Sequence, residues 1–176
     1  MYQLFEEFPT LQEGDIVIRR LTAGDSDALY NFVHDDSIYR FLPTFLYERK
    51  YDDIDRVIAG LYTECIEESL IMGMFYRDEF VGLAEFYGLR EDVHKISIGY
   101  RSNSKFWGQG IATRILNMIT DYLHNNTHIE IITASSMVEN IGSGKVLEKG
   151  GFVRDVHNAY EDWGFDEPTV VDKWIG

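Results

Sequence analysis

The chain has a single cysteine, few cations and no long apolar run, and each shortage removes a class of protein. Cys65 is the one cysteine in 176 residues. It excludes an internal disulfide, and its place on a helical apolar stripe marks it as core filler rather than a nucleophile. His124 and His128 stand four apart, but no carboxylate or cysteine completes a set around them, so no metal is expected. Only 16 Lys and Arg oppose 30 Asp and Glu, for a net charge of −14. With no basic run, such a surface repels nucleic acid. No apolar stretch of about 18 residues is present to cross a membrane. Met1 to Glu13 lacks a basic segment followed by an apolar one, so the chain is expected to stay in the cytoplasm with no membrane partner. Asn125-Asn126-Thr127 has the form of a glycosylation sequon, expected here to be only the end of a helix. No linker, repeat or low-complexity run divides the sequence. With 45% hydrophobic residues, residues 1–176 read as a single domain whose core spans about 16 to 175.

What is present concentrates between Ile98 and Thr113. Ile96, Ile98 and Tyr100 alternate with Lys95, Ser97 and Gly99, as in a strand with one buried face, and Gly99 suggests a bulge or close backbone approach. Ile111, Ile115, Met118, Ile119 and Tyr122 form one apolar helical stripe. Between them lies a glycine-bearing loop. A loop of this kind opening into a helix offers free N–H groups and the positive end of the helix dipole, which suits phosphate oxygens.

Spacing ranks the phosphate motifs. The dinucleotide fingerprint finds two glycines in Gly108-Gln109-Gly110, but Thr113 takes the third place and the turn from Ser102 to Trp107 is too long. Glu130 precedes the next strand, whereas a ribose-binding acid belongs at its far end. A nucleotide P-loop ending at Gly144-Lys145 fails because Glu139 and Val146 occupy its first glycine and its Ser/Thr position. A kinase glycine loop lacks the lysine strand and metal-binding acids that accompany it.

From Trp107 the chain reads x-x-x-Gly110-x-Ala112, which resembles the Gln/Arg-x-x-Gly-x-Gly/Ala loop of the GNAT superfamily of N-acetyltransferases. Trp107, after an Ile-Gly-Tyr strand, is similar to the RimJ/RimL-like branch of ribosomal-protein N-terminal acetyltransferases. Glu139 to Phe152, with Asn140, Ser143 and a closing Gly151-Phe152, resembles the second cofactor element of the same family. The resemblance implies acetyl-CoA as co-substrate and no metal. It also implies an amine acceptor, which a negative acceptor mouth would make cationic, and a monomer or homodimer. Cofactor contacts are implied for the backbone of Arg101 and Ser102, toward pantetheine, and for Gly108, Gln109, Gly110, Ile111 and Ala112, toward the pyrophosphate. Trp107 would shield that pyrophosphate or pack under the loop. Asn140 and Ser143 would contact the cofactor from the second element.

The order of elements agrees with this likeness. A strand is predicted over 16–21, and a helix opens near Asp25 and Asp27 and carries Leu29, Phe32 and Val33. Ile54, Val57, Ile58, Leu61, Tyr62 and Cys65 predict a helix over 52–68. Strands follow over 70–76 and 79–88, joined at Arg77-Asp78. The motif strand and helix, a strand over 129–135, a helix over 140–149 and one or two closing strands complete the series. The expected class is α/β (α+β), a mixed, mostly antiparallel sheet of about six to seven strands flanked by about four helices.

Catalytic groups are less legible. An attacking amine must lose a proton and the departing thiolate must be stabilised. The acid common in the family is a Tyr seven residues after the Asn, where this chain has Leu147. Ser143 is the matching polar position in the branch, or else only a helix-start residue. The strand Glu of the branch is replaced by Ser97. Glu85, inside an otherwise apolar strand, is one alternative base, against a solvent-facing strand edge. Asp162 and Glu161 lie where the branch can place an acid beside the acceptor. The clusters Asp155, Glu161, Asp162, Asp166, Glu167 and Glu64, Glu67, Glu68 read first as solvated faces, and second as a field attracting a cation. Two functions remain open: an acetyltransferase acting on an amine, or a silent acyl-CoA-binding or interaction module on the same fold.

Overall fold

A computed structural model describes residues 3–176. Among them are eight strands: β1 (Leu11–Glu13), β2 (Ile16–Arg19), β3 (Ser69–Tyr76), β4 (Glu79–Arg90), β5 (Lys95–Ser102), β6 (Ile131–Met137), β7 (Val153–Glu161) and β8 (Thr169–Ile175). They form one sheet in the order β1-β2-β3-β4-β5-β6-β8-β7. Every neighbouring pair is antiparallel except β5 with β6. Six α-helices accompany them: α1 (Leu4–Glu7), α2 (Ser26–Val33), α3 (Asp36–Tyr39), α4 (Ile54–Leu61), α5 (Ile111–Asn126) and α6 (Ile141–Lys149). The mixed, mostly antiparallel class is as expected. The counts are higher because β1, α1 and α3 are only three or four residues long, too short to leave a periodic trace. None of the described helices is long and apolar enough to cross a membrane.

Local chemistry explains the main elements. The β3–β4 hairpin turns on Arg77 and Asp78, both at positive φ (51° and 65°), the two-residue turn whose twist matches paired strands. Helix α5 buries Ile111, Ile115, Leu116, Met118, Ile119 and Leu123 against the sheet. On that face they meet Phe86, Ile96 and Ile98, and each such side chain contributes about 1.5–3 kcal/mol on burial. The opposite face packs Ile71, Phe75 and Leu83 against α2 and α4 through Leu29, Phe32, Val57 and Leu61. Cys65 belongs to this second core, with its thiol 3.0 Å from Ser69 Oγ.

Three expectations change. The helix predicted over 52–68 stops at Leu61 and resumes only as a short 3-10 turn at Cys65–Glu67. Tyr62 is the cause, for its hydroxyl donates to Ile71 O and accepts from Leu21 N–H (both 2.8 Å), turning the chain toward β3. The first strand ends at Arg19 rather than Leu21, where the Arg19 guanidinium grips Asp25 through two bonds of 2.9 and 3.0 Å. No bulge occurs at Gly99. Strand β5 stays in register with β4 from Ser97 to Ser102, and the change at this point is on its other side.

Candidate active site

That other side is where β5 and β6 part. They pair in parallel only at Lys95–Ser97 with Ile131–Thr133, after which β5 continues along β4 and β6 along β8. Two cavities meet at the opening, one of about 540 Å³ and one of about 970 Å³. Phe41, Leu42, Tyr100, Arg101, Asn140 and Ser143 line both.

The smaller cavity contains the glycine loop. Gly110, at φ 75°, caps α5, and Gly108 sits at φ 71°. A Cβ on either would meet nothing within 4 Å, so open space lies over the loop. Arg114 N–H closes onto Gly110 O at 3.1 Å, and the N–H groups before it have no intrahelical acceptor. Gly108, Gly110, Ile111 and Ala112 all line the cavity. Trp107 lines it too and is 56% exposed. Its indole N–H donates to both Ser102 O and Ser102 Oγ at 3.1 Å, which ties the ring to the end of β5. Gln109 is not part of the lining, and its side chain donates back to Lys105 O at 2.8 Å.

The strand contacts are redistributed. Asn103 N–H bonds Val81 O of β4, while His94 O accepts from Ile131 N–H on the β6 side. Backbone groups alternate sides along a strand, so odd-numbered residues serve the β4 ladder and Ile98, Tyr100 and Ser102 turn toward the opening. Arg101 was expected to offer its backbone to pantetheine. Instead its carbonyl is so close to β4 that a Cβ on Gly82 would lie 2.0 Å from it.

Helix α6 forms the opposite wall. Asn140 caps it, with Oδ1 accepting from Ser143 N–H at 3.2 Å. The Ser143 hydroxyl is left free of the cap and lies 3.2 Å from Tyr100 OH. Burial pushes the Tyr100 phenol up to about 12, so it stays protonated at neutral pH. Lys145 and Lys149 lie one turn apart on α6 and line the same cavity. Among the described residues neither is ion-paired. Leu147 is buried in the core at 1% exposure, and the Ser97 hydroxyl is 2.9 Å from that of Thr133.

The larger cavity has the opposite charge. Glu64, Glu68, Glu85, Glu161 and Asp162 line it against Lys50 and Arg101, among Phe41, Phe45, Tyr47, Tyr87 and Trp163. Of the acidic clusters marked in the sequence, Asp155, Glu67, Asp166 and Glu167 are not in this lining. Glu161 accepts from Ser135 (3.0 Å) and the Trp163 indole (2.7 Å) and pairs with Lys173 at 3.1 Å. Burial raises its pKa, but these donors outweigh burial and hold the carboxyl below its usual range. Asp162 is exposed and accepts from Gly164 N–H at 2.9 Å. Tyr47 and Tyr51 donate to Glu64 at 3.2 and 3.0 Å. Burial first, and then Glu64, pushes Tyr47 up to about 12. Burial, then Glu85 and Glu161, does the same to Tyr87. Burial raises the Cys65 thiol as well.

Glu85 bonds Arg101 Nη1 at 2.7 Å. The rest of that guanidinium is taken by Glu48, which is fully buried. Sequence reading missed Glu48 because Tyr47-Glu48-Arg49-Lys50 looks like any charged loop. Tyr100 and Lys145 lay within the two segments that resemble the family, but neither was marked as a site residue.

A profile of the acetyltransferase (GNAT) domain matches residues 15–153. An uncharacterized N-acetyltransferase of Bacillus subtilis, YoaA, is 24% identical over 152 residues, 84% of this chain and 85% of that protein. The [ribosomal protein uS5]-alanine N-acetyltransferase of Escherichia coli is 31% identical over 86 residues, 47% of this chain and 44% of that one. It bears out the likeness to ribosomal-protein acetyltransferases. Among solved structures, spermidine N-acetyltransferase from Vibrio cholerae, in complex with CoA and spermine, superposes with a TM-score of 0.74 at 19% identity, covering 93% of this chain and 96% of that one. The matched profile spans the loop at the head of α5, the capped helix α6 and the parted strands between them, and the chain belongs to the GNAT family of acetyltransferases.

Proposed function

We propose that the chain transfers an acetyl group from acetyl-CoA to a primary amine, a protein N-terminus or a small cationic amine, by direct attack of the amine on the thioester. The observation that carries this reading is the opposite charge of two joined cavities. In a molecule of net charge −14, the smaller cavity has Lys145, Lys149 and the α5 N-terminus against the single carboxylate Glu139, which suits phosphates. The larger has five carboxylates against two cations, which suits an ammonium ion. When bound, acetyl-CoA supplies the thioester carbon and a thiolate that leaves.

The chain's own groups fall into roles around the opening. Gly108, Gly110, Ile111 and Ala112 hold pyrophosphate oxygens through backbone N–H groups, with Trp107 over them. Asn140 fixes the start of α6. The Ser143 hydroxyl, next to the protonated Tyr100, donates toward the departing sulfur. Glu85 takes a proton from the incoming ammonium, directly or through water, while Asp162 at the rim adds negative charge. Cys65 is a poor acyl carrier, since burial raises its thiol pKa and Ser69 Oγ lies at hydrogen-bond distance. That favours direct transfer over a covalent relay.

Thiol release from acetyl-CoA with an alanyl peptide, spermidine and kanamycin as acceptors tests the reading. Turnover is expected with at least one of them. Binding of acetyl-CoA with no release for any amine would favour the silent module that Leu147 and Ser97 first suggested. With the fastest amine, Glu85→Ala should lower kcat about 100-fold while Asp162→Ala keeps most of the rate. A wild-type rate and profile in both would remove both residues from the base role.

A further inference from the structure

Glu85 on the floor of the larger cavity belongs to a charged cluster whose other members, Glu48 and Arg101, direct transfer does not itself require. Arg101 Nε and Nη2 donate to the two oxygens of Glu48 at 2.6 Å each, and Nη1 donates to Glu85 Oε2 at 2.7 Å. Tyr39 OH adds a bond of 3.1 Å to Glu48. The side chains of Glu48, Arg101 and Glu85 are 0%, 3% and 16% exposed.

Glu85 and Arg101 could neutralise each other alone. Glu85 pairs with Gly99 across the β4–β5 ladder, so Arg101, two residues on, is its diagonal neighbour on the same face. Glu48 arrives from a different part of the chain, in a 3-10 turn at Tyr47–Arg49, and adds a second carboxylate to one guanidinium. The cluster therefore has a surplus negative charge. Glu85 and Arg101 line the cavity and Glu48 lies behind them, so Glu48 offsets Arg101 from below and leaves Glu85 as the net charge at the cavity wall. A buried charge triad is a poor way to gain stability, since well-packed apolar residues commonly do as well or better. Its arrangement has a clearer use in recognition.

We propose that Glu48 is a positioning residue for the acceptor that acts through charge. Glu48 offsets the charge of Arg101, so that Glu85 on the cavity floor presents its carboxylate unneutralised to the ammonium form of the amine. This rests on the acetyltransferase reading above and extends it to a requirement that the acceptor enter as a cation.

Steady-state kinetics with the fastest amine of the panel, together with calorimetry of acetyl-CoA, tests the proposal. Glu48→Gln removes the surplus charge and should raise the amine KM about tenfold at effective protein dielectric, with acetyl-CoA affinity unchanged. Glu48→Gln with Arg101→Gln restores the surplus and should return KM to within about threefold of wild type. A merely structural role predicts the reverse order, with the double variant worse than the single. Either that order or an unmoved KM in Glu48→Gln overturns the proposal. Should Glu48→Gln fail to fold by circular dichroism, the double variant and its Glu85→Gln derivative make the same comparison, surplus present against surplus absent. Equal amine KM in that pair would overturn it. Absence of thiol release from the wild-type protein would instead overturn the acetyltransferase reading, so the two failures are distinct.

Discussion

Ser143 shows how one residue can be legible in position and ambiguous in role. Its place three after Asn140 marks it from sequence, but a helix-start serine commonly caps. The cap is in fact made by Asn140 Oδ1 and the Ser143 backbone N–H, which frees the hydroxyl to meet Tyr100. Ser143→Ala therefore leaves the cap intact. In the proposed reaction it should lower kcat by about 100-fold with little change in acetyl-CoA affinity by calorimetry. A kcat within about threefold of wild type would reduce Ser143 to a helix residue. Glu48 illustrates the opposite case. Nothing in its neighbours along the chain separates a fully buried carboxylate from a solvated one, because its partner Arg101 is 53 residues away.

Elements with a strong period were legible nearly to their ends. Helix α5 begins at Ile111 as its stripe requires, and α6 occupies Ile141–Lys149 against an expectation of 140–149. The helix expected over 52–68 failed because a tertiary bond from Tyr62 to Ile71 stops it, and a period cannot register such a bond. The loop before α5 depends on backbone that few residues tolerate. Gly110→Val should cost about 1–3 kcal/mol of strain at φ 75° and push a branched side chain into the smaller cavity. Acetyl-CoA affinity is expected to fall at least tenfold by calorimetry, roughly the effect of losing one or two bonds. Unchanged affinity would remove the loop from the cofactor site.

At the scale of the whole molecule, several carboxylates are tied into the fold against an overall excess of negative charge. Burial raises Asp25, but Arg19 and the Thr22 N–H outweigh it and hold the group below its usual range. Glu161 is lowered in the same balance. So is Asp172, where His157, Arg154 and the Asn158 N–H prevail over burial. A carboxyl lowered in the folded state contributes stability above its ordinary pKa, and that stability disappears as pH falls through the lowered value. Denaturation midpoints should therefore decrease between about pH 5 and pH 2, and below the isoelectric point near 4.6 the net charge turns positive, so that repulsion adds to the loss. A midpoint that rises steadily over that range would mean these carboxylates contribute nothing to stability.

The sequence by itself determined the class of fold, the strand and helix on either side of the glycine loop, and the likeness to the GNAT family. These are local matters of period, glycine placement and motif order, carried by residues close together along the chain. Tertiary structure decided the rest. It parted β5 from β6, turned the backbone of Tyr100 and Ser102 rather than that of Arg101 toward the opening, and collected acids from distant segments around one cavity. It also brought Glu48 under Arg101. Charge acts through space and burial, so the sign of a cavity and the company of a buried carboxylate follow from the packing of distant segments, which no local pattern encodes.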